Sequence, residues 1–315
     1  MSDKIAIMTQ GLLKSYGRVQ ALRGLDLEVR RGEIFGFLGP NGAGKTTTIR
    51  CLLDLIRPNG GALRVLGLDP QADPVAVRAR TGYLPGELSM EDNLKVEGQL
   101  RYYNDLRGNI GTAAVPGLPG RRLCKIDWGF VRQLAQRLDL DLTMPIKNLS
   151  KGNRQKVGVV QALMHRPELL LLDEPTASLD PLRQQEVYRL LREAQAGGAT
   201  VFFSSHILSE VETLAERVAI IRQGVIVEEA EPGQLIGMAL RRVWVRFKEL
   251  VDPTPLAGVE GITLLAESNG TSAHLQVEGE MDGLIKALAA FPVSDFEIER
   301  PSLEEIFLAY YEEEN

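Results

Sequence analysis

The sequence predicts an α/β protein, a sheet with helices packed on its faces, followed by a small α+β domain. Three observations carry that expectation. Apolar runs such as EIFGFLG from Glu33, LLLLDEP from Leu169 and ATVFFSS from Ala199 have the length and composition of buried strands. Segments of helical spacing separate them, which is the alternation of an α/β sheet. Near Gln234 the pattern changes to short alternating strands around one helix. The expected domains are therefore 1–234, with a helical part over about 90–150, and 235–315.

Taken in order, IAIMTQGL and LRGLDLEV read as strands and precede EIFGFLG. TTTIRCLLDLI, from Thr46, has helical spacing and is stopped by Pro58-Asn59-Gly60-Gly61. EGQLRYYNDLR and WGFVRQLAQRLDL are the helices of the middle part. The stretch GNIGTAAVPGLPGRRLCK between them reads as a long surface loop, covering Asn109 to Arg122. A helix follows Pro181, another runs through LSEVETLAERV, and AIIRQGVIVEEA is a strand pair. In the last part RRVWVRF, ITLLAES, SAHLQVE and VSDFEIE are strands and DGLIKALAA a helix. With a short helix from Pro253 to Gly258 the order is βαββαβ, the split-βαβ or ferredoxin-like arrangement. PSLEEIFLAYY closes the chain as an amphipathic helix with Pro301, Leu303, Ile306, Phe307 and Tyr310 on one face.

Composition narrows the function. An apolar content of 44% suits a folded core, and a net charge of −6 argues against a nucleic-acid partner. Cys51 and Cys124 form no CxxC pair, and His165, His206 and His274 are scattered singly, so neither a zinc cluster nor a disulfide framework is expected. The N-terminus lacks a signal-peptide core, and the longest apolar run is far too short to span a bilayer.

The chemistry is in the loops. Gly39-Pro40-Asn41-Gly42-Ala43-Gly44-Lys45-Thr46 fits G-x(4)-G-K-[ST] between a buried strand and a helix. Glycines let successive N–H groups curl inward around phosphate, and the helix adds its positive N-terminus. Lys45 is expected to reach the β- and γ-phosphates of a nucleoside triphosphate, and Thr46 to ligate Mg²⁺. Asp173, ending LLLLDEP, is placed to hold Mg²⁺ through water, and Glu174 to polarise an attacking water. NLSKGNRQKVG, from Asn148 to Gly158, is dense in nitrogen donors and suits a basic patch, a solvated helix face or a phosphate grip.

Together these motifs resemble the ATP-binding subunit of an ATP-binding-cassette (ABC) transporter over about residues 4 to 230. Tyr16 in KSYGRVQAL matches the aromatic that stacks on adenine; LSKGN matches the signature LSGGQ. ASLD, ending in Asp180, matches the D-loop, and His206 in FFSSHILSE the switch histidine. The resemblance implies ATP and Mg²⁺ as ligands, with Asn41, Gly42 and Thr47 contributing beside Gly39, Gly44, Lys45 and Thr46. It implies that Ser150 and Gly152 face the γ-phosphate on a second subunit, in a head-to-tail pair, most simply a homodimer. It implies that His206 orients water with Glu174. YLPGEL with LSKGNRQKVG resembles the branch serving ABC-2-type exporters, in which such a subunit works at the cytoplasmic face of the membrane through a separate polytopic permease. Many of those ATPases carry an appended domain ending like PSLEEIFLAYY.

Two departures stand out. Lys151 and Asn153 replace glycine and glutamine in the signature. Gly86 stands where the family has a glutamine beside Mg²⁺, so either Glu87 takes over that role or the metal is held without it. The competing readings are a soluble ABC ATPase tied to no permease and a low-turnover regulatory module. Transported substrate is not legible.

Overall fold

The computed structural model describes residues 4–111, 126–233, 241–265 and 269–299. The closing helix from Pro301 and most of the Gly/Pro-rich stretch lie outside them. The chain divides into two compact units, Met1–Glu229 and Ala230–Asn315, a boundary five residues before the expected one.

In the first unit, β1 (Ile5–Tyr16), β2 (Val19–Arg30) and β4 (Gly60–Val65) form an antiparallel sheet of order β2-β1-β4. A second sheet has the order β5-β6-β7-β3-β8-β9. Its strands are β3 (Ile34–Leu38), β5 (Thr81–Leu84), β6 (Leu169–Asp173), β7 (Thr200–Ser205), β8 (Arg217–Arg222) and β9 (Val225–Ala230). Strands β5, β6, β7, β3 and β8 are parallel. Fully buried β3, β6 and β7 explain the unbroken apolar runs, because a parallel strand covered on both faces has no polar side. Phe202 of β7 stacks on Phe35 and meets Phe37 of β3 at a tilt in the core. Gln223 and Gly224, both at positive φ, make the two-residue turn between β8 and β9.

The register positions the chemistry. Leu38 pairs with Ser205 and Asp173 with Ser204, so β3, β6 and β7 end level and release their loops at one edge. Ligands of open α/β sheets bind outside the carboxyl ends of the strands.

Helices α1 (Lys45–Leu52), α2 (Pro74–Arg80), α3 (Val96–Gly111), α4 (Trp128–Arg137), α5 (Lys151–Leu163), α6 (Pro181–Ala196) and α7 (Leu208–Leu214) complete the unit. Helix α1 stops four residues before the expected end. Asp54 adopts φ 50°, its N–H binds the Cys51 carbonyl, and the Leu55 N–H binds the Arg50 carbonyl. That is a Schellman cap, made without glycine, and it acts before Pro58 is reached. Helix α3 runs to Gly111 and absorbs the first residues of the expected loop.

In the second unit β10 (Arg241–Phe247), β11 (Ile262–Leu264), β12 (Ser272–Val277) and β13 (Val293–Glu299) form an antiparallel sheet of order β11-β12-β10-β13. A 3-10 turn, Thr254–Gly258, and helix α8 (Asp282–Leu288) connect them. Val243, Val245 and Phe247 alternate into a core shared with Leu256, Leu275 and Leu284.

His165, after α5, reports on packing in the first unit. Burial, then the charge of Arg107, pull its pKa down to about 3, so the folded state holds it neutral. An unfolded chain binds that proton near pH 6.5, and stability falls as pH drops below 6.5 towards 3. Between pH 7.5 and 5.5 the protein should lose about 1.4 kcal/mol that His165→Asn does not lose. Urea unfolding of both at the two pH values measures it; equal losses contradict the assignment.

Candidate functional site

The loop from Gly39 to Lys45 is shaped by glycine where backbone crowds it. A Cβ on Gly39 would lie 2.3 Å from the Ile221 carbonyl oxygen, and Gly44, at φ 117°, would meet the Ala21 carbonyl at 2.8 Å. Gly42 also has positive φ. The Gly39 N–H binds the Ser205 carbonyl, which joins the loop to the end of β7. Lys45 is buried, and its ammonium donates to the Gly39 carbonyl at 2.6 Å and the Pro40 carbonyl at 3.1 Å. Burial pulls its pKa below the usual lysine range, against the opposing charges of Glu174 and Asp173. Asn41 is exposed and Thr47 half-buried.

Asp173 is 2% exposed and ties three segments together. Its Oδ2 accepts from the Thr46 hydroxyl at 2.6 Å, and its Oδ1 accepts from the Ser204 hydroxyl. Glu174 follows at φ 52°, a left-handed conformation that costs of order 1–3 kcal/mol in a non-glycine residue. Its N–H is shared between the Ser204 carbonyl and hydroxyl, each at 3.2 Å. The turn leaves its carboxylate Oε1 2.9 Å from Nδ1 of His206, which leaves β7 on the neighbouring strand. Lys45, Thr46, Asp173, Glu174 and His206 thus converge, although 161 positions separate the first from the last.

The donor-rich stretch is used differently from its composition. Ser150 caps α5, accepting from the Asn153 N–H at 3.2 Å. Arg154 binds Asp92 and the Ile146 carbonyl, and the Lys156 ammonium binds the Asp139 carbonyl. Gln155 donates to the Glu174 carbonyl at 2.8 Å. Three of its donors therefore serve this chain's own fold, and Lys151 is exposed. Among the described residues, no hydrogen bond joins Ser150 to the phosphate loop. Gly152 needs to be glycine for a reason inside the chain: a Cβ there would lie 2.6 Å from the Ser178 carbonyl oxygen.

Asp180 caps α6, accepting from the Leu182 and Arg183 N–H groups. Tyr16 is exposed at the tip of the β1–β2 hairpin, with the Lys14 ammonium 5.2 Å from its ring centre. Gly86 sits against the acid cluster, where a Cβ would lie 3.1 Å from Asp173 Oδ2. Glu87 is exposed. Among the described residues no trio of His, Cys, Asp and Glu is grouped for metal binding.

A family profile described as ABC transporter matches residues 22–177. The daunorubicin/doxorubicin resistance ATP-binding protein DrrA of Streptomyces peucetius is 32% identical over 96% of this chain and 92% of its own length. The chain belongs to the ABC transporter family of ATP-binding subunits. The bacitracin transport ATP-binding protein BcrA of Bacillus licheniformis is 35% identical over 71% of this chain and 69% of its own. A solved ATP-binding subunit of an ABC transporter superposes with a TM-score of 0.62 at 26% identity, covering 73% of this chain and 91% of that one. A dimeric cassette bound to ADP and Pi shares the fold at 20% identity, TM-score 0.61, with 72% and 98% covered. As an ABC cassette of the exporter type, the protein is an ATPase.

Residues that sequence reasoning missed in this cassette are Ser204, Thr176, Gln155 and Glu210. Each acts through a contact between distant segments, and the LLLLDEP, LSKGNRQ and SSH motifs flag only their neighbourhoods. Gly152→Ala tests the close approach of α5 to the Ser178 carbonyl. The rate at saturating ATP should fall tenfold or more, although alanine favours helix over glycine by about 1 kcal/mol. An unchanged rate would show that the Ser178 segment yields without consequence.

Proposed function

We propose that this subunit binds MgATP at the phosphate loop, closes head to tail on a second copy, and drives export through a separate polytopic permease at the cytoplasmic face of the membrane. The observation that carries the reading is the convergence of Lys45, Thr46, Asp173, Glu174 and His206 at one sheet edge. The Thr46 hydroxyl and Asp173 carboxylate are hard oxygen donors already 2.6 Å apart, a set that suits Mg²⁺, which takes few protein ligands beside phosphate and water. The metal, held there without a side chain from position 86, would neutralise charge on the phosphates.

Lys45 stabilises the negative charge of the β- and γ-phosphates. Glu174 Oε1 takes a proton from water, whose oxygen attacks the γ-phosphorus while the bond to the β-phosphate oxygen breaks and ADP leaves with the electron pair. His206, 2.9 Å from that carboxylate, holds its orientation and the water's. Tyr16 stacks on adenine, while Gly39, Asn41, Gly42, Gly44 and Thr47 complete the cradle. Ser150 and Gly152, at the N-terminus of α5, with Asp180 beside them, complete the site of the opposing subunit.

The relatives support export: one is named for drug resistance, another for bacitracin transport and a third, from Ralstonia nicotianae, for Nod factor export. No helix among the described residues is long and apolar enough to cross a membrane; in this reading the transport path, and cargo choice with it, belongs to the permease. Residues from about 235 form an accessory split-βαβ domain, supported by the strand order of the second unit with its first helix reduced to a 3-10 turn.

Glu174→Gln should lower kcat by about 10² or more, the scale of a lost general base, and leave ATP affinity within about threefold. Tagged Glu174→Gln protein, purified from native membranes in mild detergent with MgATP, should bring a polytopic membrane protein with it. Recovery with soluble partners or ribosomes alone would overturn the export assignment.

A further inference from the structure

We propose that Glu210 is a positioning residue for ATP hydrolysis, a buried carboxylate clamp that fixes the loop carrying Glu174 against the loop carrying His206. The inference rests on the hydrolytic reading of that site and adds a residue which touches neither nucleotide nor water.

The geometry sets a problem that the sheet does not solve. The β6–β7 ladder ends at the pair Asp173 and Ser204, and the Glu174 N–H reaches back to Ser204. Beyond that point the two chains part, yet Glu174 and His206 must keep their side chains 2.9 Å apart. Glu210, on α7, bonds to both segments. It is 7% exposed; its Oε1 accepts from the Thr176 hydroxyl and its Oε2 from the Ser205 hydroxyl at 2.6 Å. Thr176 stands two residues after Glu174, and Ser205 immediately before His206. Both are 1% exposed, so water does not compete for these bonds.

The clamp is braced on each side. On one side lies Tyr188, from α6, which is 4% exposed; burial followed by the Glu210 charge push its pKa up to about 12. On the other side the Ile207 N–H donates to the Ser205 hydroxyl at 2.9 Å, and the Ser205 carbonyl accepts from Gly39 of the phosphate loop. One carboxylate therefore links the loop of the general base, the loop of the histidine and the loop of the phosphates.

Seating α7 does not require it. Leu208, Val211 and Leu214 already bury an apolar face of the helix. A carboxylate in the same layer carries a desolvation cost that an apolar residue would avoid, and its two hydroxyl bonds offset that cost only by joining two loops.

The test is steady-state ATPase kinetics of Glu210→Ala, Glu210→Gln, Thr176→Val and Ser205→Ala, with thermal midpoints measured alongside. Glu210→Ala should lower kcat tenfold or more with KM within about threefold. Thr176→Val and Ser205→Ala should each lower kcat, and neither should add more than about twofold to Glu210→Ala. Glu210→Gln should recover most of the rate, because an amide accepts from one hydroxyl and donates to the other. Unchanged kcat in Glu210→Ala, losses that follow the thermal midpoints, or fully multiplying losses would overturn the clamp. Should Glu210→Ala not fold, Thr176→Val and Ser205→Ala decide alone, and full kcat in both overturns it. A wild-type rate in Glu174→Gln would instead sink the hydrolytic reading itself, whereas a normal Glu174→Gln defect with silent clamp variants sinks only this proposal.

Discussion

The site depends on one buried carboxylate. Asp173 ends the central strand β6 and accepts hydrogen bonds from Thr46, at the start of the phosphate-loop helix, and from Ser204, at the end of β7. A charged group 2% exposed is tolerable only when its lone pairs are occupied, so the two hydroxyls are obligatory partners. Their bonds bring the ends of β6 and β7 and the head of α1 to one point. Everything downstream inherits that convergence: the sharp turn at Glu174, its contact with His206, and the Glu210 clamp one layer further in.

Much of this was legible because it depends on local pattern. A G-x(4)-G-K-[ST] loop after an apolar run specifies backbone curvature and a helix start within ten residues, so Gly39 to Thr46 could be assigned at sight. The apolar runs of β3, β6 and β7 gave the buried strands for the same reason. What could not be read were contacts across sequence. Ser204 looks like an ordinary strand-end serine until the register sets it beside Asp173, and Glu210 looks like a solvated helical acid until α7 turns it inward. The early end of α1 was hidden too, since Asp54 takes a left-handed conformation that the pattern assigns to glycine.

The stretch from Asn148 to Gly158 shows where composition misleads. Arg154, Gln155 and Lys156 look available for a ligand, yet they bind Asp92, Glu174 and Asp139 of the same chain. The signature is held in place by these bonds, and by the close approach of Gly152 to Ser178. What remains at the helix start is Ser150, Lys151 and the N-terminal dipole, with no hydrogen bond to this chain's own phosphate loop among the described residues. In the proposed reading, a phosphate loop with its acids on one side and a braced helix N-terminus elsewhere would be the two halves of a site that two chains complete.

That division can be measured by complementation. Lys45→Ala disables the phosphate loop and Ser150→Arg the signature, so each variant alone should be inactive. Mixed, they form pairs in which one site combines the intact phosphate loop of one chain with the intact signature of the other. ATPase activity should reappear on mixing and peak near equal amounts. No recovery at any ratio, from chains shown to associate, would place both halves of the site within one chain and contradict the account.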